Sequence, residues 1–428
     1  MKLTMITRVF VTGLAAGYLA CSGLYAADGA LSVGMSSAQI SQQTTMNTFF
    51  SNMATEAGLV NTAVGLLGAF ALPSSISAPT LAALGGTIGT TASMFPVVIG
   101  TSSMPVLSDG ATLKGFITVG SYGFQVNTGS SVTLALTEPV NSTIYYDGTT
   151  GTNKITLGAN LFLTKNASFS HIRGVPGTLQ LAGAGYAIYM DGDQTLPNNT
   201  TLKLVTNDLI IDGGGHSWTM TDSSSIIDLN ARTLTLRNMV LNGFSGATQL
   251  IDSAGSGTLK LQNCLINLSS STWTLDNIAG TDVFTVRIRD DVDVCGTTGG
   301  TLAIGGNVTD LNYVFMIIEA NSCLTLNSNT TLYYNVLSGD RTRISLADFD
   351  TSVLRFHNAT LSAPGSGTNR GIYLYGGKVI FDGKTNLTNA SGSSTSNSIG
   401  FGSTLTMRIV PGSHLLVPSG LVSYGVSS

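Results

Sequence analysis

Three segments decide the fold: Leu209-Ile210-Ile211-Asp212-Gly213, Leu234-Thr235-Leu236-Arg237-Asn238 and Leu259-Lys260-Leu261-Gln262-Asn263, each starting 25 residues after the last. Phe284-Thr285-Val286-Arg287 follows at the same step. The segments from Leu234, Leu259 and Phe284 alternate apolar and polar residues, the signature of a strand with one buried side. A fixed period in the twenties carried by a short strand marks a solenoid, in which each coil buries its apolar side only against the coils beside it. The spacing therefore stacks Leu209, Leu234, Leu259 and Phe284 inside, with Thr235, Lys260 and Thr285 facing out.

The pattern extends both ways. Upstream, Val132-Thr133-Leu134, Ile155-Thr156-Leu157, Leu179-Gln180-Leu181 and Leu202-Lys203-Leu204 recur at 23, 24 and 23 residues. Downstream, Leu354-Arg355-Phe356-His357-Asn358 and Val379-Ile380-Phe381-Asp382-Gly383 are 25 apart, and Leu405-Thr406-Met407-Arg408 lies 26 further on. The expected fold is all-β: a right-handed parallel β-helix over residues 106–428, with coils of about 23–26 residues. Asn238 and Asn263 share one phase, where the strand should turn and their side chains can bond along a ladder. The competing fold is an antiparallel β-sandwich, which has many short strands but no reason to keep a 25-residue phase.

Composition agrees. Charged residues are 10% of the 428, against about 25% in ordinary soluble chains. Hydrophobic residues are 43% and glycines number 51, which fits short strands joined by tight turns and not disorder. The net charge of −4 becomes −6 without Lys2 and Arg8, so no basic face for nucleic acid is expected.

The N-terminus reads as a signal peptide over residues 1–26. Lys2 and Arg8 form the positive region, Val9 to Ala20 the apolar one, and Leu24-Tyr25-Ala26 the cleavage site. Cys21 offers a lipoprotein alternative, although Tyr18 stands where that pattern wants Leu. Residues 27–105 hold two charges, Asp28 and Glu56, and no base. They read as an apolar cap, loosely helical over 36–56, that covers one end of the solenoid; membrane or partner contact is the alternative. The apolar run from Ala57 to Leu72 is shorter than a membrane span, so no transmembrane segment is expected in the mature chain.

Cys264, Cys295 and Cys323 are odd in number and match no zinc spacing. They read as buried small hydrophobes, with a disulfide between adjacent coils as the alternative.

Leu209-Ile210-Ile211-Asp212-Gly213-Gly214-Gly215-His216, followed by Leu234-Thr235-Leu236-Arg237-Asn238-Met239-Val240-Leu241, resembles the pectin-lyase-like superfamily. Val379-Ile380-Phe381-Asp382-Gly383 is a weaker second copy. The resemblance implies a parallel β-helix. It does not choose among polysaccharide lyases, hydrolases, tailspikes and adhesin passengers. The clustered carboxylates of the hydrolases are absent from their motif context, and Ser217 follows His216 where those enzymes have Gly.

The 25-residue phase also proposes a surface. Asp212, Arg237, Gln262 and Arg287 form an outward column; Ile210, Thr235, Lys260 and Thr285 form its neighbour. This face could grip acidic sugars or a cell-surface partner, or be simply the solvated side of a sheet. Within Arg287-Ile288-Arg289-Asp290-Asp291-Val292-Asp293, the alternation puts Arg287, Arg289, Asp291 and Asp293 on one side. Asp290 falls with the apolar set, so a bulge or turn is expected there. Three carboxylates so close could hold calcium or act as acid and base, but a solvated outward strand is the first expectation and no cofactor is assigned. Asp340-Arg341-Thr342-Arg343, with Asp348 and Asp350, forms a second charged cluster. Each of His171, His216, His357 and His414 reads as alone. The candidate binding residues are Asp212, Arg237, Lys260, Arg287, Arg289, Asp291 and Asp293, with no catalytic set. The expected function is an exported, surface or secreted β-helix for adhesion, binding or structure; a lyase or hydrolase of the pectin-lyase-like class is the alternative.

Overall fold

The computed structural model describes residues 104–426, with breaks at 108, 116, 148–152, 173–176, 247–248, 269–270, 276–283, 297–298, 305–313, 335–341, 364–371, 390–398 and 420. It also describes the short strands Phe70–Ala71, Thr87–Ile88 and Val97–Ile99. The signal peptide, the helix expected over 36–56 and the charged pair Asp340 and Arg341 lie outside the described residues.

The described chain is a parallel β-helix, with strands throughout and no helix among the described residues. Successive coils pair in parallel: Thr200–Leu204 on Gly177–Ala182, Thr233–Asn242 on Leu209–Asp212, Lys378–Asp382 on Val353–His357. That register excludes the sandwich. In one coil the chain makes three strands, Thr200–Leu204, Leu209–Asp212 and Ser217–Met220, which stack into a first, second and third face. The second and third faces join in one 17-stranded sheet, because Thr233–Asn242, Thr258–Asn267 and Phe284–Cys295 run through the corner between them. The first face ends at Leu250–Ile251. From Thr272–Leu275 onward a six-stranded sheet closes each coil instead.

The core is the set of inward columns. Leu209, Leu234 and Leu259 stack in register, as do Ile211, Leu236 and Leu261, all at 5% exposure or less. After Leu261 the period changes. Leu259 pairs with Val286 and Leu261 with Ile288, so this coil takes 27 residues and Phe284 is not the fourth member of the Leu209 column. Val379 likewise pairs with Met407 and not Leu405. Coil lengths run wider than the expected 23–26: Thr112 pairs with Thr133, 21 residues on, and Cys323 with Val353, 30 on. The two displaced partners, Val286 in place of Phe284 and Met407 in place of Leu405, each lie two residues from the expected one. Because side chains alternate with period two, an even slip keeps the buried set buried; Phe284 is fully buried all the same, and Thr235, Lys260 and Thr285 face outward.

The turn expected at Asp290 is present and explains how one strand serves two faces. Asn238, Asn263 and Asp290 occupy the same corner with φ of 53°, 50° and 54°. Asn and Asp tolerate this left-handed conformation better than other side-chain-bearing residues, since their short polar groups bond locally. Asn263 Nδ2 donates to Asn238 Oδ1 at 3.0 Å, the ladder expected from their phase.

Candidate functional site

The corrected register redraws the outer columns of the second face. One runs Asp212, Arg237, Gln262, Arg289; the other runs Ile210, Thr235, Lys260, Arg287. Arg287 thus stands beside Lys260, one strand spacing away, and Arg289 takes the place expected for Arg287. The alternation that grouped Arg287 and Arg289 with Asp291 and Asp293 is cut by the Asp290 corner. The two arginines lie on the second face and the two aspartates on the third, where Asp291 pairs with Cys323 and Asp293 with Thr325.

Asp212 is the best-held carboxylate of the set, with 7% exposure. It accepts from Arg237 Nε at 2.7 Å, Asn238 Nδ2 at 3.1 Å and Gly214 N at 3.1 Å. Burial pushes its pKa up, but the Asn238 amide, the Gly214 N–H and Arg237 outweigh burial and hold it below the ordinary carboxylate range. Its oxygens tie the glycine turn to the first Asn of the corner ladder. Arg287 Nε is spent on Glu319, at 2.8 Å. Gln262 Nε2 donates to Asp290 Oδ2 at 2.8 Å. Among the described residues, Lys260, Arg289 and Asp291 have no ion-pair partner, and Arg289 and Asp291 are exposed.

Beyond the corner, on the third face, lies a groove of about 460 Å³. Gly214, Gly215, Asn238 and Asn263 line its corner side, Val240 and Leu265 its apolar floor, and Asp291 and Asp293 one end. Its floor follows from the register: Val240, Leu265 and Asp293 are one outward column. The sequence signal was present, since Val240 and Leu265 are apolar residues at an outward phase. The three carboxylates of Asp290, Asp291 and Asp293, which the sequence offered either as a calcium or acid–base cluster or as a solvated strand, do not converge. Asp290 turns to Gln262, while Asp293 accepts from Asn327 Nδ2 at 3.4 Å. Among the described residues, no three His, Cys, Asp or Glu side chains are placed to hold a metal ion.

Two further readings change. His357 is not alone: its Nδ1 is 3.2 Å from Asp382 Oδ2, and Arg355 Nη2 is 3.5 Å from the same oxygen. The 25-residue step from Leu354 to Val379 already put His357 opposite Asp382. His216 lies 3.9 Å from Asp193. The three described cysteines are free thiols. Cys264 is buried as expected, whereas Cys295 and Cys323 are half-buried on the outer side. In the second charged cluster, Asp348 is spent on its own turn, accepting from the N–H groups of Asp350 and Thr351.

No family model, curated protein or solved structure matches this chain.

Proposed function

We propose that the protein is an exported, surface-displayed or secreted β-helix that binds a glycan or cell-surface partner without turning it over. The observation that carries this reading is the contrast between spent and unspent charges. Asp212, Asp290, Asp293 and Arg287 are engaged within the stack. Lys260 and Arg289 are not, and they stand one corner away from a groove lined by amides and an apolar floor. Hydroxyl-rich ligands fit amide and carboxylate edges, and acidic substituents fit the two unspent cations. The signal-peptide pattern supports export, and the resemblance to the pectin-lyase-like superfamily supports a glycan as ligand.

A glycan array on the purified protein tests the reading. The expected result is binding that weakens about tenfold when Lys260→Ala and Arg289→Ala are combined, as for loss of a charge-assisted contact. Binding untouched by that pair, or none at all, sinks the proposal. Export is tested by N-terminal sequencing of the secreted chain, which should begin at Ala27 or Asp28; a retained Met1 or a lipid-modified Cys21 overturns it.

A polysaccharide lyase or hydrolase is the second reading, and one feature favours it. Asp291 and Asp293 are two residues apart on one strand, about 7 Å between Cα atoms, within the range over which paired carboxyl groups cleave glycosidic bonds. The assay is release of reducing ends or unsaturated products from pectate, alginate and neutral glycans, with and without calcium. Activity that disappears in Asp291→Ala or Arg287→Ala replaces the non-catalytic reading with this one.

A further inference from the structure

On the third face, Val240 and Leu265 follow one another outward, one strand spacing of about 4.8 Å apart. Two residues back along each strand stand Asn238 and Asn263, at the corner. Two residues on stand Asn242 and Asn267, which also pair in register. The two aliphatic side chains are thus a strip between two pairs of amides. In the next coil Asp293 takes the place of Leu265, so the strip ends on a carboxylate, with Asp291 beside it. Asn263 Oδ1 and the Asn242 amide have no hydrogen-bond partner among the described residues. No Lys, Arg or His lines the groove. The two strands beneath it, Thr233–Asn242 and Thr258–Asn267, are each paired on both sides, so the floor offers a ligand side chains and no free sheet edge.

We infer that the groove holds an uncharged pyranose unit, lying flat with its apolar C–H face on Val240 and Leu265. In that pose the hydroxyl rim meets Asn263 on one side and Asn242 on the other, and an amide can both donate and accept. Hydroxyls at the far end donate to Asp291 and Asp293. The floor buries the C–H face, which hydrogen bonds cannot hold. Charge and topology select this occupant. A uronate would set its carboxylate against Asp291 and Asp293 with no cation in the groove to offset the repulsion. A peptide strand would need an unpaired sheet edge, which the floor lacks. The volume of about 460 Å³ falls within the roughly 300–1,000 Å³ of small-molecule sites. The inference rests on the reading of this protein as a glycan binder and narrows it: an acidic substituent belongs across the corner, toward Lys260 and Arg289, and outside the groove.

Saturation-transfer NMR and calorimetry test it, with neutral trisaccharides of glucose, mannose, galactose, xylose or N-acetylglucosamine and with the galacturonate trimer. A neutral trisaccharide should bind, and the galacturonate trimer should bind about tenfold or more weakly. Asn242→Ala should weaken the neutral ligand about fivefold, as for one lost hydrogen bond. Leu265→Asp should weaken it about tenfold or more by putting a charge under the C–H face, with circular dichroism to confirm that the variant folds. Asp291→Asn combined with Asp293→Asn should raise galacturonate binding toward the neutral affinity, a gain that damage to the fold would not produce. Neutral binding indifferent to Asn242→Ala and Leu265→Asp overturns the inference and leaves a glycan binder of another kind. Galacturonate bound as tightly as the neutral ligand by the unaltered protein, or still excluded by the double variant, overturns it too. A blank trisaccharide panel with a positive glycan array strikes this inference alone; a blank panel with a blank array strikes the glycan reading as well.

Discussion

A carboxylate on the outer side of a sheet has water as its alternative partner, so Asp212 is informative for choosing three protein donors instead. Those donors stabilise its ionised form and hold its pKa down. A lowered pKa contributes stability above the unfolded value of about 3.9 and loses it as pH falls through the folded value. Asp212→Asn should therefore lower Tm at neutral pH, by about 1–3 kcal/mol of stability for a part-buried, charge-assisted network. The difference should begin to shrink as pH falls below about 4 and close only below the lowered folded value; a Tm difference undiminished in strong acid contradicts the assignment. Cys264 makes a second test. Burial pushes its thiol up to about 11, against weaker lowering by the backbone around Gln262 and Met239. Burial raises the Cys295 and Cys323 thiols as well, but both are half-buried on the outer side and within reach of a reagent, so alkylation of the folded protein at mildly alkaline pH should label them and spare the enclosed Cys264, as read by peptide mass. At this scale the sequence disclosed the Asp212–Arg237 pair and the turn at Asp290, because both follow from a 25-residue step or a broken alternation. It hid the placement of Cys295 and Cys323, because thiols sit on either side of a sheet without changing the pattern.

The corner between the second and third faces is where an element does more than its strand pattern says. Asn263 holds a φ of 50° and donates to Asn238. Asn263→Gly keeps the conformation and loses the bond, for about 0.5–1.5 kcal/mol. Asn263→Val loses the bond and adds left-handed strain of about 1–3 kcal/mol. Thermal unfolding should rank wild type above Gly above Val; equal losses would mean that the backbone conformation carries no strain. Register is testable at the same scale. Lys260 and Arg287 are paired across adjacent strands, within reach of a disulfide, whereas Thr285 lies two residues back along the strand. Lys260→Cys with Arg287→Cys should cross-link under mild oxidation, and Lys260→Cys with Thr285→Cys should not. The reverse result would restore the uniform 25-residue step.

Across the whole molecule, each coil touches its neighbours and little else, so damage should stay local. Leu236 is fully buried between Ile211 and Leu261. Leu236→Ala should cost about 2–5 kcal/mol. Hydrogen exchange should show the loss concentrated in 209–213, 234–242 and 259–266, with protection beyond Val353 unchanged; uniform loss would mean that the stack unfolds as one unit. The sequence by itself determined what is inside and what is outside. That distinction rests on the pleat of the strand, a property of two neighbouring residues, and any even slip between coils preserves it. Only the tertiary structure decided which outward residues are neighbours. Lys260 meets Arg287 and Gln262 meets Arg289 because the coil between them is two residues longer, and Arg289 is parted from Asp291 by the corner at Asp290. Coil length is set in the connections, where composition carries no register. The inward columns accept either Phe284 or Val286 beside Leu259 at equal burial, so the hydrophobic pattern cannot choose between them.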